Sequence, residues 1–229
     1  HGFLTVEECA NVTLRNCLLT PHKIYYTQSK LPGQMVPMGS YDLSCAAAIN
    51  LRMENITQSI HICNEDYWGL MGSNFCKQLY LDGCVMSRFD AHCGVTDGGI
   101  HNCHLGFAGV NLIGFGDFYI TDTKIEGSYD MVGLRSDYGS NFDGKLTIRN
   151  VVYKPHLREN GDYALLRGHN TGDHDFGYPC FMPRKVIFDG LVIEDAKHPK
   201  NYGGPYVFTD FNPGNTSADY VEDYPYHLT

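Results

Sequence analysis

Chemically versatile polar residues alternate with apolar ones in several short segments of the chain. Phe89-Asp90-Ala91-His92 and Val110-Asn111-Leu112 show the pattern clearly. If such segments pair as neighbouring parallel strands, their polar side chains form one column with roughly 4.8 Å between neighbours. Lys, Glu, Thr and Ser dominate an ordinary solvated face, whereas His, Asp, Asn and Arg supply acid, base and bidentate hydrogen-bonding chemistry. The pattern predicts a rigid, solvent-facing surface for a chain-like substrate, although plain solvation explains any single position equally well.

Two carboxylates on this surface suit the cleavage of a glycosidic bond. Glycoside hydrolysis needs two carboxyl groups roughly 5 to 9.5 Å apart, and two strand spacings give about that separation. Asp90 and Asp137 are therefore the predicted acid and base or nucleophile, with His92 relaying protons. The predicted catalytic residues are Asp90, His92, Arg135 and Asp137. The predicted substrate-binding residues are Trp68, Arg88, Asn111, Tyr138, Arg167, His169, His174 and Tyr178.

Two other functions fit the same residues. A lyase or epimerase acting on uronic-acid polymers would use Arg135, Arg167 or His92 to abstract the proton next to the carboxylate, while another cation or Ca²⁺ neutralises the developing charge. The clustering of Arg and His on an acidic chain favours such an anionic sugar. A non-catalytic glycan-binding protein or fibre stalk would instead stack sugar rings on aromatic residues such as Trp68 and Tyr138.

Two long loops are predicted beside this surface, at Ser128 to Phe142 and at His156 to Met182. Long loops on a regular scaffold commonly hold function. The second loop contains Asp173-His174-Asp175, which fits ordinary turn chemistry and matches no specific metal-ligand motif. We therefore predict no metal site and no cofactor, with Ca²⁺ kept as an option if the protein is a lyase.

A short sequence pattern that recurs seven times indicates the strands that position these residues. It consists of alternating apolar residues, then Asn or Asp, then a small or apolar residue. The seven Asn or Asp residues are Asn16, Asn55, Asp82, Asn102, Asp122, Asn150 and Asp189. Their spacings are 39, 27, 20, 20, 28 and 39 residues. The minimum of 20 fits one bare coil of a parallel β-helix, and the excess over 20 indicates insertions. Apolar residues do not follow helical spacing, so the pattern excludes a helical solenoid.

Composition restricts the partners and the domain organisation. Charged residues make up 19% of the 229 residues and the net charge is -9, so no basic stripe is available for nucleic acid. No apolar run approaches the ~20 residues of a membrane span, and none has the form of a signal peptide. The chain starts almost directly in a repeat, from which we expect that N-terminal coils or a cap, with any export signal, belong to a longer protein. We predict one β-helix domain over residues 1–211 and a C-terminal tail or cap over residues 212–229.

The nine cysteines follow the repeat rather than a disulfide framework. Cys17, Cys84 and Cys103 fall in the slot that Ile56 and Val151 fill in other repeats. Reduced Cys behaves as a small buried hydrophobe in such a place. Because the count is odd and no CxxC pair is present, we predict a ladder of free thiols and no structural zinc site.

The chain resembles right-handed parallel β-helix proteins of the pectin-lyase-like superfamily. The likeness rests on the stacked repeats, on their minimum spacing of 20 residues and on the positions of Cys, Asn and aromatic residues. The likeness covers nearly the whole chain, to about Phe211. It implies an all-β fold, a right-handed parallel β-helix (solenoid) of about seven to nine rungs. Members are often polysaccharide lyases, glycoside hydrolases or epimerases, and others are phage tailspikes or adhesins. The resemblance thus implies a polysaccharide partner, an extracellular, cell-surface or periplasmic location, and a monomer, or a trimer if the protein is tailspike-like.

Two details refine this resemblance. Segments 87–92 and 134–139 look like those of uncharacterised β-helix proteins of gut bacteria. The Asn-Thr-Asp, Asp-Asp and Gly-His-Gly combination of polygalacturonase-type hydrolases does not occur, which counts against that subgroup. The sequence therefore predicts a carbohydrate-active β-helix protein, foremost a glycoside hydrolase that uses paired Asp residues.

Overall fold

Strands form the regular structure of the protein. The computed structural model describes residues 4–20, 25–28, 35–38, 43–63, 71–135, 140–141, 144–156, 163–169, 180–181, 183–198, 204–209 and 227–228. Within these ranges there are strands and no helices, and every strand pair except one is parallel. The parallel pairs join strands that lie one repeat apart in the sequence, which is the arrangement of a solenoid-like fold.

The parallel strands fall into three series, each built from one segment per repeat. The first series comprises β1 (Leu4–Glu7), β6 (Leu43–Ala46), the start of β9 (Met71–Asp82), the middle of β10 (Val85–His101), the end of β11 (His104–Leu112), β14 (Asp130–Arg135), β18 (Ala164–His169) and β22 (Tyr206–Thr209). The second series comprises β2 (Ala10–Arg15), β7 (Ile49–Glu54), the ends of β9 and β10, β12 (Gly114–Thr121), β16 (Lys145–Arg149), β20 (Lys185–Asp189) and β23 (His227–Leu228). The third series comprises β3 (Leu18–Leu19), β8 (Thr57–Gln58), the starts of β10 and β11, β13 (Lys124–Glu126), β17 (Val152–Lys154) and β21 (Val192–Ile193).

Two short sheets lie outside these series. β4 (Tyr25–Gln28) and β5 (Met35–Met38) form the antiparallel pair, within the insertion between β3 and β6. β15 (Ser140–Asn141) and β19 (Cys180–Phe181) pair in parallel. The second pair joins the segment that follows β14 to the segment that follows β18, so the two predicted loops are linked to each other.

Period-2 alternation places apolar side chains in one continuous core. One inward column of the second series reads Leu51, Leu79, Gly98, Phe118, Leu146 and Val186. Gly98 leaves room for the Phe118 ring, because a Cβ added there would lie 3.1 Å from that ring. Burial of such columns stabilises the fold by roughly 25 cal/mol per Å² of apolar surface removed from water.

A left-handed residue turns the chain between the second and third series in each repeat. This left-handed corner consists of Asn16, Asn55, Gly83, Asn102, Asp122, Asn150 and Gly190, with φ between 51° and 74°. Asn, Asp and Gly are the residue types that adopt this conformation most readily. Neighbouring corners also bond to each other, as where Asn55 Nδ2 donates to Asn16 Oδ1 at 3.1 Å.

In two of the seven repeats the left-handed residue lies one position after the predicted Asn or Asp. Gly83 and Gly190, rather than Asp82 and Asp189, have the positive φ in their repeats. In sequence alone Asp-Gly looked equivalent to Asn-Cys, but Gly adopts the left-handed conformation at lower cost than Asp. The shortest spacing, between Gly83 and Asn102, is therefore 19 residues rather than 20.

The predicted ladder of free thiols is confirmed for six cysteines of the core. Cys9, Cys17, Cys45, Cys76, Cys84 and Cys103 are all free thiols. Cys84 and Cys103 follow the left-handed corner of neighbouring repeats and are buried, with 3.4 Å between the Cys84 N and the Cys103 Sγ. Burial raises the pKa of the Cys45 thiol, which keeps it in the unreactive protonated form. These cysteines therefore serve as core side chains.

The predicted architecture is confirmed as an all-β fold of parallel strands with a solenoid-like arrangement. The first series also confirms the stacking order predicted for the site strands, since Asp90 pairs with Asn111, Asn111 with Gly133 and Gly133 with Arg167. Within residues 212–229 the structure describes His227 and Leu228, which pair with β20. The division of the chain into a domain and a tail stays a prediction.

Candidate functional site

The segments between the third and first series differ from repeat to repeat. Where the structure describes the whole segment, this variable corner is the single residue Ser87 in β10, residues 106–108 in β11 and residues 127–129 before β14. The other strand pairs are separated by longer segments, residues 20–42, 59–70, 155–163 and 194–205. The predicted loop regions are each divided by a strand of the first series, β14 in one and β18 in the other. Irregularity is therefore concentrated along the borders of the first series.

A recess of about 270 Å³ opens at the variable corner. Its walls come from three successive strands and the turns before them: Arg88, Phe107, Val110, Asn111, Ser128, Tyr129, Asp130 and Gly133. Concave sites that combine apolar surface with a few convergent polar groups are the usual form of a ligand pocket. The recess is accordingly the candidate functional site.

Arg88 and Asp90 form an ion pair on the same strand, with the Arg88 Nη2 bonded to Asp90 Oδ2. The Arg88 side chain is 11% exposed and that of Asp90 is completely buried. Asp90 therefore does not face solvent as the sequence predicted, although its strand phase is the outward one. Its carboxylate neutralises the charge of Arg88, which is the member of the pair that lines the recess.

Asp130 forms the second ion pair of the site. Its Oδ2 accepts from the Arg167 Nε at 2.6 Å, and its Oδ1 accepts from the Ala164 N–H at 3.1 Å. The Asp130 side chain is 12% exposed and the Arg167 side chain is 20% exposed. The carboxylate is thus fixed by the neighbouring strand β18 while Asp130 lines the recess.

The turn at Ser128 and Tyr129 is supported from inside the protein. The Ser128 carbonyl accepts from the His156 N–H at 2.9 Å and from the Tyr153 hydroxyl at 3.3 Å. The same hydroxyl is 3.1 Å from the Tyr129 carbonyl, and the Tyr129 ring meets the His156 ring edge at a centroid distance of 4.9 Å. Tyr153 is fully buried, so the core holds this wall of the recess in place.

The Ser128 side chain is buried in the wall of the recess. The residue is 2% exposed, and its Oγ has no hydrogen-bond partner among the described residues. A buried hydroxyl without a partner carries a desolvation penalty of about 1 to 3 kcal/mol. Such groups are rare in native structures and are frequently found where a ligand or water binds.

Two glycines lie at or beside the recess, Gly133 in its wall and Gly109 behind the turn that carries Ser128. A Cβ added at Gly109, which has a φ of 56°, would lie 3.1 Å from the Ser128 Cβ and 3.1 Å from the Asp130 carbonyl oxygen. A side chain there would push against the turn that carries Ser128. Gly133 lies next to Asn111 in the strand register and lines the recess as well.

The structure brings together only part of the predicted set. Arg88 and Asn111 line the recess, Arg167 reaches it through Asp130, and Asp90 supports Arg88. His92, Arg135 and His169 lie on strands of the first series, where Arg135 pairs with His169, but the placement of their side chains is not described. The remaining predicted residues, Trp68, Asp137, Tyr138, His174 and Tyr178, lie outside the described residues.

The sequence analysis missed Ser128, Tyr129 and Asp130. Ser128 and Tyr129 stand just before β14, where residues 106–108 precede the strand in the previous repeat, and Asp130 is the first residue of β14. Their types also suit a plain turn. The signal in the sequence was an aspartate at the start of a strand of the first series, which is where the polar column begins.

A different charge cluster lies on the third series. The Glu126 carboxylate accepts from Lys154 at 2.7 Å, from Lys124 at 3.1 Å and from His104 at 3.0 Å. Lys154 contributes most to lowering the pKa of Glu126 to about 2. These side chains are 23% to 48% exposed, so the cluster is a solvated ion-pair network.

Among the described residues no group of three or more His, Cys, Asp or Glu side chains is arranged to hold a metal ion. Within the same ranges the chain has no helix with the length and hydropathy to cross a membrane. No protein-family model, curated protein or solved structure matches the chain.

Proposed function

We propose that this protein is carbohydrate-active and that a polysaccharide binds along the outer face of the first series, with the recess as its central subsite. The observation that carries the proposal is the recess itself, in which Arg88, Asn111 and Asp130 converge beside Tyr129 on a rigid parallel scaffold. Planar charged and amide groups form paired hydrogen bonds with hydroxyls, and an aromatic ring offers an apolar surface to a sugar.

The finer fold assignment belongs to the same proposal. We propose a right-handed parallel β-helix of about seven to nine rungs, related to the pectin-lyase-like superfamily. Its support is the three strand series and the left-handed corner that separates two of them in each repeat. Such a scaffold holds successive subsites at the strand spacing of roughly 4.8 Å, as an extended glycan requires.

The proposed chemistry is hydrolysis, with one role reassigned. Asp90 is buried and paired with Arg88, so it is a positioning residue in this proposal. Asp130 is the described carboxylate that lines the recess, and we assign it the role of acid or base. Asp137 keeps its predicted role as the second carboxylate, because glycoside hydrolysis needs two.

The burial of Asp90 also favours a second candidate, a glycan-binding protein without catalysis. A carboxylate that is fully buried against an arginine cannot protonate a leaving group. If Asp130 acts only as a hydrogen-bond acceptor, the recess binds sugar and leaves the chain intact. The lyase alternative would depend on Arg135, Arg167 or His92, and of these three Arg167 is already neutralised by the Asp130 carboxylate.

The experiment incubates the protein with a panel of neutral and uronic-acid polysaccharides and measures binding and products. Hydrolysis produces reducing ends without ultraviolet absorbance, whereas a lyase product absorbs because of its conjugated double bond. We expect Asp130→Asn to abolish cleavage, with Asp189→Asn, an exposed aspartate of the second series, as the matched control. Binding without products would support the second candidate, and absence of binding to every polysaccharide would reject the proposed function.

A further inference from the structure

We infer that the recess selects a neutral, hydroxyl-rich sugar residue over a uronic acid, and that the Ser128 hydroxyl is one of the groups that binds it. The inference rests on the proposed function, since it concerns the same site. It departs from the expectation, drawn from the clustered Arg and His residues, that an anionic sugar is favoured.

Among the described side chains of the site, positive and negative charges are balanced. Arg88 pairs with Asp90, and Arg167 pairs with Asp130, so two guanidinium groups face two carboxylates. All four side chains are at most one-fifth exposed. A uronate would bring a third carboxylate into this partly desolvated space, with a large desolvation cost and no uncommitted positive charge from these two pairs. Such an uncompensated charge is an effective way to reject a competing ligand.

The neutral groups of the site match hydroxyl ligands. The Ser128 Oγ lacks a partner among the described residues, and a hydroxyl can both donate and accept. Asn111 adds an amide within the same recess, and Asp130 adds an acceptor that the Ala164 N–H and Arg167 hold in place. A sugar hydroxyl that reached Ser128 would remove the penalty of its unsatisfied buried oxygen.

The size and walls of the recess fit one ring at a time. Its volume of about 270 Å³ is below the ~300 to 1,000 Å³ that is typical for drug-sized ligands. Tyr129 and Phe107 contribute apolar surface, and Gly133 lines the recess without a side chain. One residue of a longer glycan would therefore enter the recess while its neighbours follow the strand series.

The test uses uronic-acid oligosaccharides and their carboxyl-reduced forms, which keep the same linkage and ring configuration but carry a neutral hydroxymethyl group. Neutral oligosaccharides of other linkages complete the panel. Binding is measured by calorimetry at low and high salt. We expect neutral members to bind at least about tenfold more tightly than their uronate counterparts, and their affinity to change little with salt.

Ser128→Ala is the variant that tests the role of the hydroxyl, and Ser73→Ala is its matched control. Ser73 is also fully buried with an Oγ that has no partner among the described residues, but it does not line the recess. We expect Ser128→Ala to weaken binding of the neutral oligosaccharide about three- to tenfold, while Ser73→Ala leaves it unchanged. The folded state of both variants is checked by circular dichroism.

The outcomes separate this inference from the proposed function. Tighter binding of uronates than of their reduced forms would overturn the inference and leave the proposed function standing. Equal binding by Ser128→Ala and Ser73→Ala would overturn the role of Ser128. If no member of the panel binds, the proposed function itself fails, and the inference fails with it.

Discussion

The two corners that border the third strand series contrast in length, in conformation and in chemistry. The left-handed corner is one residue in each repeat and is always Asn, Asp or Gly with a positive φ. The variable corner ranges from the single residue Ser87 to the insertion between β3 and β6, and it carries the recess. A corner that repeats without change stacks on its neighbours and leaves no room for a ligand. The left-handed corner therefore maintains the scaffold, whereas the irregular segments of the variable corner form the site.

The largest effect on stability is expected at Asp90, which supports the recess through its ion pair with Arg88. Asp90→Ala leaves the nearly buried Arg88 guanidinium without its carboxylate, and we expect a loss of about 3 to 5 kcal/mol in the free energy of unfolding. The measurement is urea denaturation. The double variant Arg88→Met with Asp90→Ala should recover much of that stability, because no unpaired charge remains. A stable Asp90→Ala variant that has lost activity would instead restore Asp90 as a catalytic residue.

The left-handed corner can be broken directly at Gly83, where φ is 64° and an added Cβ would lie 2.4 Å from the Asn55 Oδ1. Gly83→Val combines backbone strain with this clash, and we expect it to lose about 2 to 3 kcal/mol in thermal or urea unfolding. Gly83→Asn is the matched control, since Asn adds the same Cβ beside Asn55 but occupies the left-handed corner elsewhere, so the difference between the two variants measures the backbone strain. If both variants lose the same stability, the corner does not depend on residues that tolerate a positive φ.

The variable corner can be weakened from inside the core at Tyr153. Tyr153→Phe removes the hydroxyl that bonds to the carbonyls of Ser128 and Tyr129. We expect a stability loss of about 1 kcal/mol and weaker glycan binding, because the wall of the recess is no longer fixed. Tyr80→Phe, on the outer face of the second series, is the control. Unchanged glycan affinity in Tyr153→Phe would show that the support of this turn is unimportant for binding.

The smallest effect concerns Glu126, outside both corners, and depends on pH. The pKa of Glu126 is lowered from its ordinary value of 4.5 to about 2, first by Lys154. A carboxyl with a depressed pKa in the folded state stabilises the protein above the unfolded pKa and loses that contribution as pH falls toward about 2. We expect roughly 1 kcal/mol after allowing for solvent screening. Glu126→Gln should flatten the stability profile between pH 4.5 and 2, and an unaltered profile would contradict the ion-pair network.

The sequence predicted the scaffold better than it predicted the site. Alternation with Asn, Asp or Gly at fixed intervals is set by the local backbone, so Asn16, Asn102 and Asn150 could be recognised without any tertiary information. The stacking of Asp90, Asn111 and Arg167 followed from the same periodicity. The phase of a strand, however, does not tell whether an outward side chain reaches solvent.

Burial and pairing are what the sequence could not supply. Asp90 has the outward phase and is nevertheless fully buried in an ion pair with Arg88, which strand alternation alone does not predict. Asp130 and Arg167 are joined across 37 positions, a pairing that no local pattern encodes. The unsatisfied Ser128 hydroxyl is likewise defined only by the absence of partners among the described residues around it.

The measurement that tests the central claim most directly is hydrogen–deuterium exchange of the protein with and without the tightest-binding oligosaccharide of the panel. We predict that the glycan protects backbone amides from exchange in residues 106–111 and 127–133, which include the walls of the recess. We also predict no change in exchange at Asn16, Asn55 or Asn102 in the left-handed corner. Protection centred on the left-handed corner, with the recess unaffected, would contradict the assignment of the site to the variable corner.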